Sequence, residues 1–201
     1  MKSEDYLKGR GAQQNIHNRF LRDIHEQRDD FLEFCRLDGE EADKNKTKYL
    51  PIFPKTIVNK VTSPDVGMHY SMNPYQGCEH GCIYCYARNS HEFWGYSAGL
   101  DFERQILIKK DAPRLLEEKL KSKNWKAETI VLSGNTDCYQ PAEREFKITR
   151  ACLEVFLKYK HPVGIITKNT LLLRDLDLLK ELVKDNLIGV NISVTSLSED
   201  T

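Results

Sequence analysis

The sequence has no surplus of either charge. Lys plus Arg and Asp plus Glu both number 30, so the formal net charge is zero. That excludes a domain-wide basic surface and leaves only a local patch for any nucleic-acid contact. No apolar stretch reaches membrane-spanning length, and the opening MKSEDYLKGR is charged from the start, without the apolar centre of a signal peptide. A cytoplasmic location is the expectation that follows, with no membrane partner. There is no internal repeat and no low-complexity segment. What is present is a chain of 201 residues, 40% hydrophobic, enough for a packed core. Six cysteines in a reducing compartment do not read as a disulfide framework.

The first 48 residues differ from the rest. Ile16, Phe20, Ile24 and Phe31 give a weak helical pattern, and DGEEADKNKTK (residues 38–48) reads as a solvated linker. The organisation expected is a charged, helical arm and linker over 1–48 and a core over 49–201. Within the core, residues 69–75, 129–133, 163–167 and 188–194 read as short strands, the last three β-branched as buried parallel strands are. Helical patterns separate them. Asp111 and Pro113 start one before Leu115, Leu116 and Leu120; residues 142–160 carry another, and Leu172, Leu176, Leu179 and Val183 a third. Alternation of this kind predicts an α/β fold with about four βα units on a parallel sheet. The polar punctuation follows each strand, so the informative residues converge on the carboxyl rim.

Three cysteines are crowded in NPYQGCEHGCIYCYAR (residues 73–88), where Cys78, Cys82 and Cys85 are spaced C-x3-C-x2-C. Thiolates so close repel one another unless cations neutralise them, which points to a metal centre. The second pair that a structural zinc site usually uses is missing, and His80 or the distant Cys138 would have to complete it. Ferredoxin-type runs use other spacings and supply four cysteines to each cubane. Three thiolates on a four-iron cubane would leave one iron open to an exchangeable ligand. Cys152, on an apolar stripe with Ile148, Val155 and Phe156, reads as a small buried hydrophobe, as does Cys35 after Phe31 and Phe34.

C-x3-C-x2-C with Tyr84 before the last cysteine resembles the signature of the radical S-adenosylmethionine (radical SAM) enzymes. The resemblance implies that Cys78, Cys82 and Cys85 hold a [4Fe–4S] cluster whose fourth iron is chelated by SAM. An electron from a reducing partner such as flavodoxin or ferredoxin then yields a 5′-deoxyadenosyl radical that abstracts hydrogen from substrate. The strings KGRGAQQNIHNRF, SPDVG, GLDFE, TDCYQP and RDLDLL extend the resemblance to the branch related to spore photoproduct lyase, often labelled DNA-repair-photolyase-like. Lyase or repair chemistry on nucleic acid is what that kinship implies, although kinship does not fix a substrate. The implied fold is a partial (β/α) barrel. Against a six-strand family core, four strand candidates imply a core incomplete at its C-terminal side, with 188–194 as an edge open to association. The rival readings are a non-enzymatic zinc or iron–sulfur module, or a fragment that binds the cluster without turning over.

The resemblance also implies roles. Gly77 and Gly81 let the loop wrap the cluster. Tyr84 contacts the adenine or simply packs. Ser133, Gly134, Asn135 and Asp137, in SGNTD, occupy the place of the family's Gly-Gly-Glu stretch, with Asp137 as acceptor for the SAM ammonium. Lys168 pairs with the SAM carboxylate or is merely solvated. Ser193 reaches the ribose hydroxyls, with Asn191 on its face. Cys138 is either a hydrogen donor to a product radical or an incidental substitution. His80 is a residue beside the centre or at the surface. HEFWGY (residues 91–96) stacks on a base or packs, and the segment with Arg10 and Arg19 touches phosphates or straps across the core.

Overall fold

A computed structural model describes residues 6–21 and 46–196. In chain order the elements are β1 (Lys48–Pro51), β2 (Asn59–Lys60), β3 (Tyr70–Met72), β4 (Tyr75–Gln76), a 3-10 helix (Tyr86–Trp94), α1 (Asp101–Arg104), β5 (Gln105–Ile108) and α2 (Ala112–Lys121). There follow β6 (Ile130–Leu132), α3 (Glu143–Phe146), α4 (Ile148–Lys158), β7 (Val163–Thr167), a second 3-10 helix (Thr170–Asp175), α5 (Leu176–Lys184) and β8 (Ile188–Ile192). The protein is a mixed α/β fold. β3, β6, β7 and β8 lie side by side and parallel, with β2 antiparallel on the outer edge of β3. The register pairs Tyr70 with Ile130, Ile130 with Val163 and Val163 with Ile188. Met72, Ile130, Leu132 and Ile165 from these strands are sealed beneath Leu116, Leu153, Phe156 and Leu182 from the helices. Burial of such side chains is worth roughly 1.5–3 kcal/mol each and is what holds the layers together.

A second sheet, in the order β1-β5-β4, was not legible in the sequence. Its strands are two to four residues long, too short for a period to show. It matters because the chain leaves the first sheet at Asn73 and Pro74 and joins the second for Tyr75 and Gln76, paired with Ile108 and Leu107. That sidestep delivers Gly77 into the cysteine loop with φ +81°.

Three expectations need correction. The helix expected over 142–160 is broken at Lys147, which adopts φ +52°. The buried Glu143 carboxylate accepts the Thr149 and Arg150 N–H groups at 2.9 and 3.3 Å, capping α4 from the preceding short helix. The stripe 172/176/179/183 changes phase as well: Leu172, Leu179 and Leu182 are buried, whereas Leu176 and Val183 are exposed. Residues 170–175 wind at the tighter 3-10 pitch, which rotates the following turns relative to an α-helical count. The described part of the N-terminal arm, residues 6–21, holds no helix. Its backbone groups are engaged by Glu103, Ser97 and Leu100 instead, and these tertiary bonds override a weak periodicity. Ile24, Phe31, Cys35 and most of the 38–48 linker lie outside the described residues.

Among the described residues, β8 is bonded along one side only, to β7, and Val190, Ile192 and Val194 are exposed. An open strand of this kind is a template for another chain. The 201-residue polypeptide is therefore expected to self-associate in a concentration-dependent way, and Ile192→Lys to shift it toward monomer in sedimentation velocity. A wild-type chain that sediments as a monomer at high concentration contradicts this.

His91 packs under the loop between Tyr96 and Phe102, fully buried, and among the described residues neither ring nitrogen completes a well-formed hydrogen bond. Burial drives its pKa down to about 4, against a smaller opposing effect of Asp101. The unfolded chain binds this proton below about pH 6.5 and the folded chain does not until about pH 4, so stability falls as pH drops through that window. The loss is about 3 kcal/mol at the lower end. Urea unfolding of cluster-free protein at pH 7 and pH 4 should show it, and His91→Phe should lose distinctly less. Equal losses in the two proteins would remove His91 from the account.

Candidate functional site

The cysteine loop is fixed from both sides. The Cys78 N–H donates to the Phe102 carbonyl at 2.8 Å. The buried Gln140 side chain donates to the Gly77 carbonyl and accepts the Glu79 N–H, tying the loop to the segment after β6. Cys78 is buried, and Cys82 and Cys85 are half-buried. Burial pushes the Cys78 thiol up to about 12 and raises that of Cys85 too. Thiols in this setting become thiolates only with a cationic partner.

All three cysteines line one cleft of about 170 Å³ at the carboxyl ends of β6, β7 and β8. Tyr84, Ser133, Asn135, Asp137, Lys168 and Ser193 line the same cleft, so residues scattered over more than a hundred positions are brought together. Among the described residues, no three Cys, His, Asp or Glu side chains are gathered to hold a single metal ion. The three thiols line the same cleft, and a polynuclear group in which separate irons take one sulfur each would draw on all of them. On donor chemistry and placement, the residues fit an iron–sulfur cluster.

Asp137 is the most engaged of these side chains. One carboxylate oxygen accepts the Tyr139 N–H and the Thr167 hydroxyl, both at 2.8 Å. The other accepts the Lys168 N–H at 3.0 Å and lies 3.3 Å from His80 Nε2, in contact but off the line of a good hydrogen bond. Burial alone would raise its pKa, but His80 beside it and the Lys168 and Thr167 donors win and hold it below the usual carboxylate range. His80, read from sequence as beside the centre or at the surface, is thus anchored at the cleft. Lys168 Nζ lies 3.4 Å from Cys82 Sγ. Burial disfavours its charge, yet Cys82 and Tyr84 beside it keep the ammonium form. Tyr84 itself is largely exposed.

Ser133 turns the chain after β6 at φ +69°, an uncommon conformation for a residue with a Cβ, and its hydroxyl accepts the Cys138 N–H at 2.7 Å. Gly134 does not line the cleft. A Cβ there would meet Ser71 Cβ at 2.8 Å, so this glycine serves packing against β3, and its carbonyl accepts the Tyr86 hydroxyl at 2.9 Å. Cys138 is fully buried in the main core, outside the cleft lining, with its pKa pushed well up by burial. Asn191 lies on β8, exposed, and does not line the cleft; Ser193 does, held by its N–H to the Thr167 carbonyl at 2.9 Å. In the 91–96 segment His91 and Glu92 are buried and Phe93 is exposed, its ring tilted against that of Phe20.

Several contributors escaped the sequence reading. Asn73 is buried, and its side-chain oxygen accepts the Asn135 and Thr136 N–H groups at 2.9 and 3.1 Å, fixing the loop after β6. Its carbonyl accepts Lys109 Nζ at 2.8 Å. Tyr86, Thr136, Ile166 and Thr167 line the cleft as well. The only signal for Asn73 was its place just before the cysteine loop.

A family model described as the radical SAM superfamily matches residues 72–201. An uncharacterised protein of Mycobacterium bovis is 35% identical over 141 residues, 70% of this chain and 42% of that protein. One from Methanocaldococcus jannaschii is 33% identical over 138 residues, 68% of this chain and 49% of the relative. One from Acidianus two-tailed virus is 31% identical over 157 residues, 74% and 51%. The chain spans about half or less of the length of these relatives. No solved structure matches.

Proposed function

Because the chain belongs to the radical SAM superfamily, we propose that Cys78, Cys82 and Cys85 bind a [4Fe–4S] cluster and that SAM occupies the adjoining cleft. The observation that carries this reading is the convergence of the three cysteines with the strand-end residues of β6 and β7 and with Ser193, just past β8, on one cleft. The bound group would supply the electron that cleaves SAM reductively, starting hydrogen abstraction from a substrate. The chain's own residues would bind and orient. Lys168 offers a cation for the SAM carboxylate, Ser193 a hydroxyl for the ribose, and Tyr84 a ring for the adenine. Ser133, Asn135 and Asp137 form the wall nearest the amino group, with Asp137 fixing that wall to the end of β7. The four parallel strands would be part of a (β/α) barrel. By resemblance to spore photoproduct lyase, the substrate would be nucleic acid; the exposed ring of Tyr86 at the cleft supports stacking on a base.

The test is anaerobic reconstitution with iron and sulfide, followed by SAM and dithionite. The expected result is a brown protein with about four iron and four sulfide per chain, and formation of 5′-deoxyadenosine. Stoichiometric zinc in anaerobically purified protein would favour the non-enzymatic module instead. Iron without deoxyadenosine would favour a cluster-binding fragment.

A further inference from the structure

The segment KGRGAQQNIHN, at residues 8–18, has no part in the cleft, yet it lies against the back of the cysteine loop. The carboxylate of Glu103, fully buried, accepts the Gly11 N–H at 3.1 Å and the Ala12 N–H at 2.8 Å. It also accepts Arg88 Nη2 at 2.5 Å. Arg88 in turn donates to the Cys82 carbonyl from Nε and Nη2, at 3.2 and 2.9 Å, and to the Gly99 carbonyl. Arg10 donates to the Glu103 carbonyl at 2.9 Å. A continuous path of charge-assisted bonds therefore runs from the segment to the main chain of a cluster cysteine. The packing is main chain on main chain. A Cβ on Gly11 would stand 1.9 Å from the Gly81 carbonyl oxygen, and Gly81 itself, between Cys78 and Cys82, has φ +64°.

Beyond this contact the segment is pinned at intervals. Asn15 exchanges two 2.9 Å bonds with Asp101, and Ile16 exchanges two with the Ser97 hydroxyl. The buried Asn18 side chain donates to the Glu92 and Tyr96 carbonyls. Arg19, an alternative phosphate contact in the sequence, is paired with Glu92 at 3.0 Å.

We propose that residues 8–18 are a clasp which, through Glu103 and Arg88, holds the Cys78–Cys85 loop in its cluster-binding form, so that clasp docking and cluster retention are coupled. Glu103 and Arg88 are then positioning residues for the cluster, and the otherwise unexplained glycines and asparagines of the segment acquire a purpose. Coupling must be reciprocal: if the docked clasp favours the cluster, the cluster favours the docked clasp by the same factor. The inference rests on the cluster assignment above, and its test separates the two.

The experiment uses the full chain in two measurements. The first is extraction of iron by a chelator from reconstituted wild type, Gly11→Val and Glu103→Gln, under anaerobic conditions. The variants should lose iron about tenfold faster, within the usual range of coupling between sites. The second is hydrogen exchange at Gly11 and Ala12 in wild type, with and without the cluster. Loading should slow exchange there by a similar factor, whereas a segment that merely packs would exchange at one rate in both forms. Loaded wild type with the same extraction rate as both variants, or exchange indifferent to loading, overturns the clasp and leaves the cluster standing. Wild type that takes up no iron overturns the cluster assignment, and the clasp with it.

Discussion

Replacement of Cys82 by alanine is expected to abolish iron binding and reduce deoxyadenosine formation to background, while Cys152→Ala retains both. The contrast follows from where the two thiols lie. Cys82 is half-buried on the cleft wall, with the Lys168 ammonium 3.4 Å from its sulfur, a position from which it can bond to iron. A cubane held by three protein thiolates has no spare, so loss of one removes an anchor that nothing nearby replaces. Cys152 is fully buried on α4 in the main core, where burial pushes its pKa far up. Its sulfur is packing, and truncation should lower stability by about 1 kcal/mol without touching the site. Iron and sulfide content together with the visible absorption of the reconstituted proteins decide the matter. Iron retained by Cys82→Ala at wild-type level would refute the three-thiolate centre.

Asp137→Ala should be the most damaging change on the SAM side of the cleft. The side chain accepts from Tyr139, Thr167 and Lys168 and touches His80, so it joins the cysteine loop, the loop after β6 and the end of β7 at one point. Alanine leaves those donors without their acceptor, at about 1–3 kcal/mol for each that water fails to reach. The expected outcome is a loss of about 2 kcal/mol or more in stability, with SAM affinity weakened more than tenfold and the cluster still formed. Lys168→Ala should weaken SAM affinity without the loss of stability, because its side chain projects into the cleft, where its neighbours are Cys82 and the largely exposed Tyr84. Titration of reconstituted protein with SAM, alongside urea unfolding of the cluster-free forms, separates the two effects. Unchanged SAM affinity in both variants would mean that the ligand lies elsewhere.

The sequence alone brought out the crowded cysteines and the long periodic elements. Cys78, Cys82 and Cys85 stand out because their spacing is short and a crowd of thiols has few physical uses. The parallel strands at 163–167 and 188–192 could be read because a run of β-branched residues between helical stripes fits little else. The carboxyl-rim placement of Asp137, Lys168 and Ser193 followed from the alternation itself. Tertiary structure decided what depends on partners distant in the chain. The break at Lys147 exists because a buried Glu143 caps the next helix, and no window of sequence contains that geometry. Gly134, grouped by resemblance with the SAM-binding stretch, faces Ser71 instead, since only the pairing of β6 with β3 sets which neighbour a glycine must clear. Asn73 looked like nothing until its side chain met two backbone N–H groups 62 and 63 positions away. The N-terminal segment showed a faint helical period, yet Glu103, more than ninety residues on, took its amide groups and laid it along the cysteine loop. A backbone donor goes to the best acceptor the folded chain offers, and that acceptor is chosen by the fold rather than by the neighbours in sequence.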